Sequence, residues 1–277
     1  MRVYVLGTGS SGNALIVEAD GVRLLLEAGL GPRVATVRMR SLGADLFPRG
    51  VDGIVVTHQH NDHAAQLLPL CKALGAPGVA ASEPMLHLHD GIDAPLVRHR
   101  FGARRYRAGE SFEVRGLRVR TLALAHDAPH VAVSVESKTH CLGFVTDVGS
   151  VTSKLVDFLA PCDTVLLESN YCPTLLDTSP YPVSLRRRIA GDLGHLSNAQ
   201  AAWLVSRLVR SRAQRIALCH LSQRNNEPEL ALRAVRDESP DAAVEVLRHG
   251  EAKVLDLAPR LAASRFEQLP LFASSSK

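Results

Sequence analysis

One segment limits the fold of this chain more than any other. The apolar run Ile54-Val55-Val56 passes straight into Thr57-His58-Gln59-His60-Asn61-Asp62-His63. An extended turn alternates its side chains, so His58 and His60 point the same way. Asp62 and His63 open the following helix, which can turn them toward a second centre. Two imidazoles for one ion and an Asp–His pair for another suit two divalent metals held a few ångströms apart. Three imidazoles and a carboxylate at this spacing argue against a plain polar surface turn. One loop cannot complete two coordination shells, so the fold must bring further ligands to it.

The rest of the chain is built to do so. Short apolar runs repeatedly end in a polar side chain: residues 117–125 at His126-Asp127, 142–146 at Asp147, 164–167 at Glu168 and 215–219 at His220. Residues leaving the carboxyl ends of neighbouring strands converge on one rim, where open α/β sheets place their chemistry. That makes His126, Asp147 and His220 candidate metal ligands. Further strands are expected at 2–6, 14–19, 22–26, 54–57, 78–81 and 131–135, with Asp20-Gly21 as a two-residue hairpin turn. Helices are expected over 32–42, with Pro32 in the first turn and Gly43 at the stop, from His63, up to Ala160, from Asn198 and from Glu227. The pattern implies an α/β fold with sheets packed face to face and helices outside. No linker divides it, so 1–257 reads as one hydrolase domain and 258–277 as a tail.

Other classes are disfavoured. Gly7-Thr8-Gly9-Ser10-Ser11-Gly12 matches the dinucleotide-binding fingerprint, whose glycines must open a helix that receives a pyrophosphate. Here a β-branched stretch and the Asp20-Gly21 turn follow, leaving no room for that helix. A nicotinamide oxidoreductase therefore remains only a remote alternative, as does a non-catalytic binding module. The five cysteines are widely spaced without a Cys-x-x-Cys pair, so neither a disulfide framework nor a cysteine zinc site is expected. Neither a signal peptide nor a membrane span is apparent, and a reducing cytoplasm is the expected setting.

The whole set resembles the metallo-β-lactamase-fold hydrolases, marked by a His-x-His-x-Asp-His loop followed by a later His, a bridging Asp and a final His. It is most similar to their YycJ-like (WalJ-like) branch, over nearly the whole chain. The supporting stretches are Gly9-Ser10-Ser11-Gly12-Asn13, His126-Asp127-Ala128-Pro129, Thr146-Asp147-Val148-Gly149, Leu167-Glu168-Ser169-Asn170, Gly194-His195-Leu196-Ser197-Asn198 and His220-Leu221-Ser222. The resemblance implies an αββα sandwich. It assigns His58, His60 and His126 to one metal, Asp62, His63 and His220 to the other, and Asp147 to a bridge. Glu27 departs from the family, which usually has Asp there, and leaves a contact behind the metal loop open.

Two metals lower the pKa of a water and clamp a phosphate, so no Ser or Cys nucleophile is needed. His195 is the candidate to protonate the leaving oxygen, oriented by Glu168, with Asp62 the third candidate catalytic side chain. The alternative for His195 is a residue that merely precedes a helix capped by Ser197 or Asn198. The Glu-then-His order is similar to that of tRNA 3′-processing enzymes and favours phosphodiester hydrolysis. The YycJ-like resemblance points to a 5′–3′ exonuclease on double-stranded DNA, in repair or replication. A tRNA-processing endoribonuclease and a small-molecule phosphodiesterase or thioesterase are the alternatives. Mixed His/carboxylate sites accept zinc, manganese or iron. Arg98, Arg100, Arg104, Arg105 and Arg107 cluster without an acid among them, and Arg186, Arg187 and Arg188 precede the His195 turn. Such clusters suit phosphate backbones, with Arg104, Arg105, Arg186 and Arg187 the candidate nucleic-acid contacts. In the tail, Gln268, Leu269, Leu271 and Phe272 around Pro270 are similar to the pentapeptide that hooks bacterial DNA enzymes onto the sliding clamp. The same apolar knot could instead dock on its own body.

Overall fold

The computed structural model describes residues 1–75, 79–82 and 103–257. Within them, one seven-stranded sheet runs β14 (Lys253–Asp256), β1 (Arg2–Gly7), β2 (Ala14–Ala19), β3 (Val22–Leu26), β4 (Gly53–Val56), β5 (Val79–Ser82), β6 (Ala103–Tyr106). The other runs β13 (Val244–Val246), β12 (Arg215–Cys219), β11 (Thr164–Glu168), β10 (Cys141–Val145), β9 (His130–Glu136), β8 (Leu117–Leu124), β7 (Ser111–Val114). Side-chain alternation along each strand assembles the layers. Val3, Val5, Leu24 and Leu26 of the first sheet meet Val119, Val133, Leu142 and Phe144 of the second in a central core. On the opposite face of the first sheet, Tyr4, Leu6, Ile16 and Leu25 pack against Ala35 and Met39 of α1 (Pro32–Ser41) and Leu67 and Leu70 of α3 (Leu67–Leu74). The second sheet turns Val145, Leu167 and Leu218 toward α4 (Ser153–Leu159), α7 (Asn198–Leu208) and α8 (Pro228–Glu238). Each fully buried aliphatic side chain is worth about 1.5–3 kcal/mol. The result is the αββα sandwich that the resemblance implied, with sheets face to face and helices outside as the apolar pattern suggested.

The Asp20-Gly21 turn has positive φ at both residues, 51° and 78°, as a type I′ hairpin requires. Arg115-Gly116 repeats this geometry between β7 and β8. The strand β7, like β6, β13 and β14, is absent from the sequence-based expectation. The helix expected from His63 needs correction. A single turn, α2 (Asn61–Ala64), starts earlier and stops where Gln66 N donates to Ala28 O at 2.8 Å; α3 then resumes. Two short helices, α5 (Pro173–Asp177) and α6 (Val183–Ala190), were also not expected. Among the described residues no helix is long and apolar enough to cross a membrane.

The glycine-rich turn has a different task from cradling a nucleotide. After Gly12 N bonds to Gly9 O, the chain enters β2 directly, with no helix. Asn13 N donates to Asp62 O at 2.7 Å, and Gly29 N to Asn13 O at 2.9 Å. A Cβ on Gly29 would lie 1.8 Å from Asp62 O, so glycine there permits the close approach. The turn thus clasps the loop that carries the clustered histidines. The tail residues Gln268, Leu269, Leu271 and Phe272, and Arg98 and Arg100, lie outside the described residues.

Candidate metal centre

The first sheet delivers its share of the site from one strand end. β4 leads into His58 and His60, and α2 carries Asp62 and His63. His58 Nδ1 lies 3.0 Å from Thr57 Oγ1, which leaves Nε2 buried without a partner. Asn13 Oδ1 accepts from Gly9 N at 2.9 Å, so its amide nitrogen faces the loop, 2.9 Å from His63 Nε2. Glu27 resolves the contact left open by its length. One of its carboxylate oxygens accepts from Thr57 N at 3.3 Å and stands 3.5 Å from His63 Nδ1. The longer side chain still reaches behind the loop.

The second sheet delivers its share from several strand ends. His126 follows β8, Asp147 follows β10, Glu168 ends β11 and His220 follows β12. Asp147 and His220 have positive φ, 54° and 55°, as does Glu27 at 68°. Such backbone strain in non-glycine residues concentrates at functional sites. His220 is held there partly by its N–H, which donates to Thr8 Oγ1 at 2.8 Å. His195 sits just before α7, whose Ser197 forms a capping box with Gln200. Ser197, not Asn198, is the N-cap, and His195 does more than precede the helix, because its Nδ1 is 2.6 Å from Glu168 Oε1.

The donor set fits divalent metal ions. His126 Nδ1 donates to Gly194 O at 3.3 Å, which puts the lone pair on Nε2, and that nitrogen lies 3.4 Å from His60 Nδ1. Ring nitrogens of His58, His60 and His126 form one compact trio, and Asp62, His63 and His220 form another. Asp147 Oδ2 is 3.0 Å from His63 Nε2, and Asp147 also groups with His58. Glu168 lies close to His195, His220 and Asp147, but its oxygens are already engaged. Oε1 takes the Nδ1 groups of His195 and His220, and Oε2 accepts from Val148 N at 2.9 Å. These contacts place it to orient the two imidazoles.

Electrostatics separates the imidazoles. Burial, reinforced by His130 and His63, holds His58 well below the usual histidine range, and burial also lowers His126. For His220, burial is outweighed by Asp147, Asp62 and Glu168, and its pKa is pushed up to about 10. His195 is raised in the same way, burial being overcome by Glu168. Burial would lift Asp147, yet His220 and His63 keep it well below the carboxylate range.

His130 is a member of the site that sequence reasoning missed. It opens β9 and is buried, with Nε2 2.7 Å from Thr146 O and Nδ1 without a partner. Its ring centroid lies 4.2 Å from that of His58, and it forms a further potential metal-holding group with His58 and Asp147. Burial pulls its pKa down to about 3, so it stays neutral. The available signal was a second histidine one helical turn's count after His126, masked by its place at the start of an ordinary strand.

His60, Asp62, His126, Asp147, His195 and His220 line an open cavity of about 270 Å³ together with Tyr181, Leu185, Arg188 and Ile189. Neither Arg186 nor Arg187 lines it. The Arg186 guanidinium donates to Asp177 O, and Arg187 is exposed on α6. Arg188, next in sequence, ion-pairs with Asp127, which in turn lies 3.3 Å from both His60 and His126. Arg104 and Arg105 belong to β6, the edge strand of the first sheet.

Residues 22–221 match the family model described as a β-lactamase superfamily domain. The chain is 30% identical to exodeoxyribonuclease YycJ of Bacillus anthracis, over 85% of this chain and 88% of that protein. It is 28% identical to exodeoxyribonuclease WalJ of Streptococcus pneumoniae, over 83% and 85%. The zinc-bound crystal structure of PqqB from Methylobacterium extorquens superposes with a TM-score of 0.70 at 18% identity, covering 93% of this chain and 100% of that one. The chain belongs to the metallo-β-lactamase-fold family of metal-dependent hydrolases, in its YycJ-like branch.

Proposed function

We propose that this chain is a two-metal phosphodiesterase that degrades double-stranded DNA from a 5′ end, in repair or replication. The observation that carries the reading is the 2.6 Å contact between His195 and Glu168 beside two converging ligand trios. His58, His60 and His126 would hold one ion, Asp62, His63 and His220 the other, with Asp147 between them. When bound, the ions, zinc or manganese, supply a water of lowered pKa and neutralise charge on the phosphate. The side chains do the remaining work. Glu168 accepts the Nδ1 proton of His195, fixing the ring and favouring its charged form. His195 then keeps a proton at Nε2, on the cavity side, for the leaving oxygen. Asp62, with Oδ2 3.5 Å from both His63 and His220, would orient the attacking water as well as ligate.

A poised proton donor suits an alkoxide leaving group, and similarity to two exodeoxyribonucleases supports DNA as the polymer. Arg104, Arg105 and Arg187 would then meet phosphates outside the cavity, while Arg186 would have to leave the Asp177 carbonyl to do so. The hydrolase unit would span 1–257, and residues 268–272 of the tail would hook the sliding clamp. The decisive assay offers end-labelled duplex DNA, single-stranded DNA and a tRNA precursor to the purified protein with zinc or manganese. Mononucleotide release from the 5′ end of the duplex is expected. Cleavage of the tRNA precursor with intact DNA would overturn the DNA reading.

A further inference from the structure

We propose that Tyr181, Leu185 and Ile189 form a subsite for the base of a strand's terminal nucleotide, so a paired end must open before it is cleaved. This rests on the nuclease reading above. A short amphipathic helix ordinarily buries its apolar stripe against the core. The helix α6 buries no residue at all. Its Leu185 and Ile189, spaced i and i+4, instead line the cavity, with Arg188 between them, and Tyr181, in the loop that precedes the helix, lines it as well. The wall is held in place. Arg188 is paired with Asp127, the Arg186 guanidinium is bonded to Asp177 O, and Ile189 O accepts from His195 N at 2.9 Å. Its pairing with Asp127 lets Arg188 position this part of the lining.

The cavity is lined as well by the uncharged polar Ser10, Asn170 and Ser222 and by the candidate ligating groups. Apolar, uncharged polar and metal-ligating groups around one cavity match the base, the sugar and the phosphate of one nucleotide. The cavity has a volume of about 270 Å³. Asp147 and His220, only 3% exposed, lie at the bottom, so a scissile phosphate has to descend between the walls. That descent takes the adjoining base out of its stack. An aromatic ring with two aliphatic neighbours accepts any base, because every base offers a π-face.

The test compares duplexes with a paired terminus, a mismatched terminus and an abasic terminal residue, using the metal-loaded full chain. The wild type should cleave the mismatched end faster than the paired one. It should cleave the abasic end about tenfold more slowly than an unpaired end bearing a base, in kcat/KM, as expected for loss of base stacking. Tyr181→Ala with Leu185→Ala should erase the distinction between base and abasic residue while retaining the metal content. Tyr181→Phe should keep the distinction. If the wild type treats base and abasic ends alike, or the double variant still separates them, the subsite is overturned and the nuclease reading stands. If the wild type cleaves none of these DNAs, the nuclease reading falls, and the subsite with it. Should the double variant fail to fold, the wild-type comparison and Tyr181→Phe still decide.

Discussion

The two sheets contribute to the site by different means. The first sheet supplies His58, His60, Asp62 and His63 from a single strand end and one helical turn, with regular backbone at the ligands. The second supplies His126, Asp147, Glu168 and His220 from four strand ends, two of them locked in the left-handed region. Local sequence holds the first set together, and only tertiary packing holds the second. The charge states divide differently, by metal position: burial lowers His58 and His126, whereas carboxylates raise His63 and His220. His58 keeps an unpartnered Nε2, whereas the His220 ring lies among Glu168, Asp62 and Asp147, which favour its charged form. The scattered set should therefore be the more easily broken, and the position made by Asp62, His63 and His220 the more pH-sensitive.

The largest expected effect is at the seam between the sheets. Asp147→Ala removes the carboxylate that faces His63, His195 and His220, and should lower metal content and abolish turnover. Metal counting by mass spectrometry checks it: two ions at full occupancy would remove Asp147 from the bridging role. Next, His195→Ala should keep both metals and slow hydrolysis by roughly 10²–10⁴-fold, the usual range for lost acid–base help. Parallel loss of metal would make His195 a ligand.

The third prediction tests the charge contrast. Binding an ion at Asp62, His63 and His220 must displace the His220 Nε2 proton, held with a pKa of about 10, whereas His58 has none to lose. Affinity at the second position should therefore fall at least about tenfold per unit of pH below that pKa, roughly 100-fold from pH 8 to pH 6 for the His220 proton alone, and more steeply still because His63 is raised as well. Affinity at the first should fall much less over that interval. Calorimetric titrations at the two pH values separate the cases, and equal slopes would erase the contrast.

The same contrast decides what the sequence could reveal. The contiguous loop was legible at once, because three histidines and an aspartate within six residues need no tertiary information. His126, Asp147 and His220 were legible only as a series, each being the polar end of an apolar run. Strands whose two faces are both buried read clearly, as β2, β3 and β11 did. Short or edge strands such as β7 and β13, partly exposed, lack the apolar run and were missed. β14 pairs with β1 from the far end of the chain, a register that no local pattern encodes. His130 escaped because its role depends on Thr146 O and the His58 ring, both supplied by other strands. The break after α2 comes from Gln66 bonding to Ala28, again a tertiary choice.

The smallest expected effect probes how the first sheet supports its loop. Glu27 stands behind His63 in a left-handed backbone conformation, accepting from Thr57 N at 3.3 Å. Loss of an outer-shell partner ordinarily costs about 10–100-fold in metal affinity. Glu27→Ala should fall in that range, because it strips the carboxylate from a buried imidazole nitrogen. Glu27→Asp keeps the charge but withdraws it by one methylene, lengthening a contact to His63 that is already 3.5 Å. Against this, aspartate tolerates the left-handed region better than glutamate, which relieves part of the backbone strain. The two effects oppose, so Glu27→Asp should weaken metal binding less than roughly tenfold. Competition with a chromophoric chelator measures both variants. If the Asp variant binds as poorly as the Ala variant, reach and not charge governs the support, and the loop depends on its surroundings as closely as the scattered set does.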